Sequence, residues 1–349
     1  TETIGAVYPN LICFSIAGKC CKNVGFNQRG FDFNGRFWQS AAGQNQLIEK
    51  VKKTFIAHPW LSLLAVLWLS LVIFVGGTEL PVLLTQYGGF LLLGIVGAVF
   101  ANATGAGGGV VFVPFFQQLA FSPEAVIATS FAIQCCGMTA GAISWLQFYR
   151  HVKSQQPDWL LLPAVLSRCI PFGLAGLWLA QYGFDYLVPH LSFSAVASQL
   201  HIGFGAFSIL LALAIMASSK RLRNAQERSQ LTVADKNWLA VISFVGGIIT
   251  AYLSVGIGEL VAVYLIVRRF DVTLAIAAAV IISAVTVWGA VGYGAWVTGA
   301  VNWYVVLFAG AGAVIGGRLA RYVVLFFSPR QVKLFFALWV LLLGILSIV

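Results

Sequence analysis

Apolar stretches recur along this chain at the length a helix needs to cross a bilayer, roughly 17–25 residues for ~30 Å of hydrocarbon. They fall at about 60–76, 87–120, 124–148, 159–182, 193–217, 238–267, 272–296, 302–324 and 330–348. Lipid offers no partner to a bare backbone N–H or C=O, so such spans must be helices that satisfy themselves. The expected fold is therefore an all-α polytopic membrane protein. A composition of 60% hydrophobic and 9% charged residues excludes an ordinary soluble globule.

Two of these stretches are interrupted by glycine. The run Asn102 to Pro114, NATGAGGGVVFVP, places Gly105, Gly107, Gly108 and Gly109 in an otherwise apolar segment. The run Leu253 to Glu259, LSVGIGE, repeats the idea with Gly256, Gly258 and an acid. Non-helical backbone at membrane depth is tolerated where it is buried in protein or lines a cavity. Two breaks at corresponding places in two halves mark the binding site of a transporter.

The net charge of +10 does not point to nucleic acid. The basic residues lie between apolar segments: Lys50, Lys52 and Lys53; Arg150 and Lys153; Lys220, Arg221, Arg223 and Arg228; Arg268 and Arg269; Arg330 and Lys333. That is a positive-inside pattern. Its expected setting is the plasma (inner) membrane, basic loops cytoplasmic. Cys135, Cys136 and Cys169 sit in apolar segments and read as small hydrophobes. Cys13, Cys20 and Cys21 belong to the polar N-terminal region, with no metal or disulfide spacing. The opening residues show no secretory signal pattern. No facing pair of histidines, Walker motif, HExxH or nucleophile elbow occurs, so neither an enzyme nor a cofactor is expected.

Five regions follow. Residues 1–58 form a surface or partner-binding region, too short for a core of their own. Residues 59–86 add one transmembrane helix, 87–217 form a first repeat, 218–237 a cytoplasmic linker and 238–349 a second repeat. Trp145 follows Gly105, and Trp296 follows Gly256, by 40 residues, with Gly141 and Gly292 at a shared offset as well. Asp158-Trp159 and Asn302-Trp303 open corresponding helices, each leading to clustered glycines that allow close helix approach. If each glycine segment enters, breaks and returns, all basic loops fall on one side. The halves are then inverted repeats, each a re-entrant hairpin plus helices.

Consecutive glycines at a hairpin tip expose backbone N–H groups, and a half-helix starting there points its positive end at the midplane. Such a tip binds anions without a buried cation. The polar residues nearby are Asn102 and Thr104 before the first break and Ser254 and Glu259 flanking the second. Ser130, Gln134 and Thr139 follow the first hairpin, and Ser283 and Thr286 the second; Ser130 and Gln134 share a helix face. Arg168 and Glu259 are ionisable residues at apparent membrane depth, which is costly unless they face a cavity or a partner. Arg168 is expected as an anion ligand, a gate, or the salt-bridge mate of Glu259. Arg318 and Arg321 are expected to snorkel to the interface.

Gly105-Ala-Gly-Gly-Gly109 with Val113-Pro114, then Ala128-Thr129-Ser130, then Asp158-Trp159, resembles the first repeat of the TauE/SafE sulfite exporter family. Gly256-Ile-Gly258, then Asn302-Trp303 leading to Gly312, Gly316 and Gly317, resembles its second repeat, so the likeness spans roughly 87–349. It implies a transporter of small sulfur-containing or organic anions. The second loop departs from the first, with GIGEL for the triple glycine and Ala279-Val280-Ile281 for Ala-Thr-Ser.

The resulting expectation is a secondary transporter exporting sulfite, sulfoacetate or another sulfonate by alternating access. Gly105, Gly107, Gly108, Gly109, Gly256 and Gly258 would supply backbone donors. Ser130, Gln134 and Ser283 would supply side-chain donors, with Asn102, Arg168 and Glu259 completing the site. The alternative is a non-transporting subunit that stabilises a larger membrane complex. Expected partners are the small anion and the bilayer, with no nucleic acid; a protein docked on residues 1–58 and a homo-oligomer stay open.

Overall fold

A computed structural model describes residues 59–119, 121–183 and 228–327, with isolated positions at 209, 213 and between 331 and 345. Residues 1–58 and nearly all of 193–217 and 330–348 lie outside the described residues. The chain divides into two units, 1–69 and 70–349; of the first, the described part is the start of one helix.

Helix α1 (Pro59–Gly76) continues through a 3₁₀ turn at Gly77–Glu79 into α2 (Leu80–Tyr87). The connection expected after residue 76 is thus mostly helical, because Pro81 suits a helix's first turn, where its missing N–H costs nothing. Then come α3 (Gly89–Thr104), α4 (Gly109–Gln118), α5 (Pro123–Phe148) and α6 (Leu162–Trp178). The second half contains α7 (Val233–Leu253), α8 (Ile257–Val267), α9 (Val272–Gly292) and α10 (Trp303–Phe326). All described elements are helical, and six of the described helical stretches are long and apolar enough to cross a membrane. Helices α3 and α8, with 16 and 11 residues, fall short of that length.

The ends of these helices follow from local chemistry. Ser122 caps α5, its hydroxyl accepting from the Ala125 amide, with Pro123 at the first helical position. Asp271 caps α9 by accepting from the Leu274 amide, and Asn302 caps α10 through the Val305 amide. Thr232 and Asp235 form a reciprocal capping box at the start of α7.

The packing of one half is exchanged with that of the other. Helix α3 packs on α10 as α6 packs on α7, α5 on α10 as α9 on α6, and α4 on α5 as α8 on α9. The central pair α5·α9 packs on itself under this exchange. Both exchanged contacts are close because glycine leaves backbone against backbone: a Cβ at Gly176 would overlap the Phe244 carbonyl, and one at Gly312 the Leu91 carbonyl. Helices α5 and α9 carry 83% and 78% of their spanning windows buried, against 33% for α6, so they form the centre. Outward-facing Phe74, Trp303 and Phe326 are exposed, as lipid-facing side chains are.

The repeat marks chosen by counting from the glycines do not all coincide in space. Trp145 is fully buried in the last turns of α5, whereas Trp296 is 86% exposed in a π-helical turn. The cause is the starting point of the count: Gly105 and Gly256 are 151 residues apart, whereas Trp145 corresponds in the fold to Gly294, 149 residues on. Around the breaks the matching offset is 149 residues: it pairs the caps Ser122 and Asp271, and the helix-ending Gly105 and Ser254.

Candidate functional site

Each break begins with a left-handed residue that stops its helix. Gly105 ends α3 at φ 77°, and Ser254 ends α7 at φ 58°. Gly107 and Gly256 add further positive-φ positions, at 86° and 145°, that favour glycine. The chain then turns back: a Cβ on Gly97 of α3 would lie 2.8 Å from the Phe112 ring of α4, and one on Gly246 of α7 would lie 2.8 Å from Ile257 Cα.

The two breaks lie against each other. A Cβ on Gly109 would overlap the Ser254 carbonyl oxygen, and a Cβ on Gly258 would overlap the Gly105 carbonyl oxygen. These two contacts are related by the same 149-residue offset. The methyl that any other residue brings would force the breaks apart.

A buried polar network spans the junction. The Gly108 amide donates to Gln134 Oε1 at 2.8 Å. Gln134 Nε2 donates to Ser254 Oγ at 2.7 Å, to the Ser254 carbonyl at 3.2 Å and to Ser130 Oγ at 3.1 Å. Ser254 Oγ donates to Ser130 Oγ at 3.0 Å. On the second side the Ile257 amide donates to Thr250 Oγ1 at 3.0 Å, and that hydroxyl donates to the Gly246 carbonyl at 2.7 Å. One first-turn donor of each half-helix, otherwise without an intrahelical acceptor, is thus met by a side chain. The network borders a cavity of about 10 Å³, lined among others by Gly107, Gln134, Thr250, Ser254, Gly256 and Ser283. That volume holds about one water molecule. Its lining is mixed, with Gln134, Thr250, Ser254 and Ser283 set among apolar side chains such as Val255 and Val287, and carries no formal charge.

The structure therefore brings together Gly105, Gly107, Gly108, Gly109, Gly256 and Gly258 with Ser130, Gln134 and Ser283. Asn102 lies apart from the cavity lining; its Nδ2 donates to the Ala98 carbonyl at 2.8 Å and the Gly137 carbonyl at 3.4 Å, tying α3 to α5. Glu259 is fully buried in the first turn of α8, next to Gly258 but outside the lining. Arg168 is not brought to the cluster. Its side chain is exposed on α6 with the guanidinium 5.7 Å from the Phe172 ring centroid, and no ion pair joins it to Glu259. Arg321 is held inside the fold, donating to the Ser144 carbonyl at 2.6 Å. Among the described residues no group of three His, Cys, Asp or Glu side chains could hold a metal.

Thr250 and the second, charged constellation were not singled out from sequence. Thr250 stands one turn before Ser254, the i, i+4 spacing already seen in Ser130 and Gln134, and that repeat was the available signal. The charged constellation is centred on Asp235, fully buried at the start of α7. Its carboxylate accepts from Arg268 Nε at 2.7 Å, Tyr264 Oη at 2.8 Å and Thr232 Oγ1 at 2.7 Å, with Arg228 at 3.8 Å. It ties the start of α7 to the end of α8, and the carboxylate raises the pKa of the Arg268 guanidinium further.

The arrangement can bind by hydrogen bonding through neutral groups. Comparison with known proteins gives one family match, to the family described as sulfite exporter TauE/SafE, over residues 90–347. The match starts at the beginning of α3 and covers both breaks. No curated protein and no solved structure matches the chain.

Proposed function

The chain belongs to the sulfite exporter TauE/SafE family, and from that premise we propose that it exports a small oxyanion, sulfite or a sulfonate such as sulfoacetate, by alternating access. The observation that carries this reading is the meeting of two glycine breaks over one small uncharged cavity that Gln134, Thr250, Ser254 and Ser283 help to line. Each break is read as the tip of a re-entrant hairpin, one from each of two inverted halves. The exchanged helix packing of the halves and the short α3 and α8 support that topology.

In this reading the amides of Gly107 to Gly109 and the first turn of α8 face the anion, with the Ser130 and Ser283 hydroxyls beside them. Helix N-termini attract negative charge through aligned backbone dipoles. Neutral donors suit a carrier, because an anion gripped by a buried cation is released reluctantly. The small cavity must widen to admit an oxyanion, and rocking of one half against the other supplies that opening. Export from a negative-inside cell is favoured by about 2.3 kcal/mol per charge per 100 mV, so the membrane potential is a sufficient drive.

Purified protein in proteoliposomes, assayed with sulfite and with sulfoacetate, tests the function. Saturable flux of either is expected, and Gly108→Leu is expected to abolish it, since even a Cβ there would lie 2.7 Å from the Phe112 ring and 2.8 Å from Gln134 Cγ. No flux of any small anion would overturn the transport reading. Parental flux in Gly108→Leu would overturn the site.

A further inference from the structure

One side chain in the candidate site is bonded to both breaks at once. Gln134, 2% exposed on α5, accepts from the Gly108 amide through Oε1 and donates to Ser254 through Nε2. The Gly108 amide belongs to the first turn region of α4, where a half-helix presents its unsatisfied donors. Gln134 Oε1 thus occupies the place that a substrate oxygen needs, at the 2.8 Å distance expected for such an acceptor. What is left is the cavity of about 10 Å³. An oxyanion head of four heavy atoms does not fit beside the amide, since a volume of that size holds about one water molecule.

Resting on the reading of this junction as the anion site, we propose that Gln134 is its occluding and selecting residue. Its amide oxygen holds the seat of one substrate oxygen, and the substrate gains the site by displacing it. Displacement favours a particular ligand class. A charged oxygen accepting from Gly108 forms a hydrogen bond roughly twice as strong as that of a neutral carbonyl. A neutral isostere, such as a sulfone or a sulfonamide, gains no such advantage and leaves the amide in place. Selection against neutral sulfur compounds then needs no cation in the site. When the anion leaves, the Gln134 carbonyl returns to the Gly108 amide and no buried donor is left unmet.

The test compares side chains that differ in what they offer Gly108. Gln134→Met keeps the length and removes the acceptor, so the anion no longer competes for its seat. The apparent KM for sulfite is expected to fall about fivefold, equivalent to one neutral hydrogen bond of about 1 kcal/mol. Gln134→Glu installs a charged acceptor on the same amide, and KM is expected to rise at least tenfold while the protein remains monodisperse in detergent. An unchanged or raised KM in Gln134→Met would overturn the occluding role, as would a parental KM in Gln134→Glu, which stands as the test should the methionine variant misfold. Gly108→Leu separates the two levels: if it abolishes flux while Gln134→Met leaves KM unchanged, the site stands and the role of Gln134 falls. If Gly108→Leu transports like the parent, the site itself falls.

Discussion

Gly258→Ala adds a single methyl group at the point where α8 meets the first break. The backbone at Gly258 is helical, so its own φ does not oppose alanine, and helix propensity favours the change by up to about 1 kcal/mol. Any loss therefore comes from what the methyl meets. It would overlap the Gly105 carbonyl oxygen and Ser283 Oγ, and lie 3.2 Å from the Ala279 carbonyl oxygen. Ser283 can rotate away; the two carbonyls cannot, so the breaks must separate. Overpacking of this kind costs about 1–3 kcal/mol, and the upper end applies where backbone is the obstacle. Set against the propensity gain, a net loss of about 2 kcal/mol remains. At roughly 2 °C per kcal/mol for a large domain, the melting temperature falls by about 4 °C. Tryptophan fluorescence on heating in detergent would measure it, beside sulfite flux in vesicles, which should drop at least tenfold because the cavity-lining backbone moves. Gly89→Ala is the control: it lies in the first turn of α3 and a Cβ there meets nothing within 4 Å. Adding Ser283→Ala to Gly258→Ala should recover part of the stability, since it removes one of the two overlapping atoms. The reasoning fails if Gly258→Ala melts with Gly89→Ala and transports like the parent.

Ser254 separates strain from hydrogen bonding. Ser254→Ala loses the bonds to Gln134 and Ser130, about 0.6 kcal/mol each in a membrane interior, and retains a Cβ at φ 58°. Ser254→Gly loses the same bonds and relieves the left-handed conformation, so it should be about 1 kcal/mol more stable than the alanine variant; equal melting of the two would refute strain at this cap. At the Asp235 constellation, Asp235→Ala removes the acceptor shared by Arg268, Tyr264 and Thr232 and should cost about 2 kcal/mol. Arg228→Gln, at 3.8 Å and 43% exposed, should cost under about 1 kcal/mol, and melting curves that reverse this order would refute the division of roles.

The parts of this fold that were legible in sequence are those that follow from backbone chemistry. Gly105 stops a helix because a left-handed cap suits glycine, and Pro123 after Ser122 starts one because both residues serve a first turn. Side-chain direction was far less legible. Arg168 lies midway along an apolar segment, but hydropathy gives its depth and not its azimuth; α6 is only partly covered, and the guanidinium rests on Phe172 at its outer face. Trp145 and Trp296 match by count because a count from the glycines Gly105 and Gly256 runs two residues beyond the 149-residue offset that the helix caps share. Asp235 looks like part of a polar linker in sequence, since the arginine that holds it arrives from the far end of α8. Ser254 and Thr250 escaped emphasis for a related reason. A serine can take glycine's place at a left-handed cap when its side chain is fastened, and the fastening comes from Gln134 Nε2, 120 residues away.

The 149-residue correspondence gives the asymmetry of the site a physical meaning. Under it Ser254 matches Gly105, Thr250 matches Ala101, Ser130 matches Ala279 and Gln134 matches Ser283. The contact of Ser254 with Ser130 is a 3.0 Å hydrogen bond; at its counterpart a Cβ on Gly105 would lie 2.6 Å from Ala279 Cβ. One side of the junction is therefore polar, and the other is closed by small apolar residues in near contact. The cavity lies where the polar set is, bordered by Gln134, Ser254 and Thr250. A symmetric pair of polar sites would have to bury twice the number of donors, each costly when unmet in a dry interior. Concentrating most of the donors on one side lets them satisfy one another, as Gln134, Ser254 and Ser130 do. A substitution at Gly105 or Ala279 therefore meets close apolar packing, whereas one at Ser130, Gln134 or Ser254 breaks hydrogen bonds of the network.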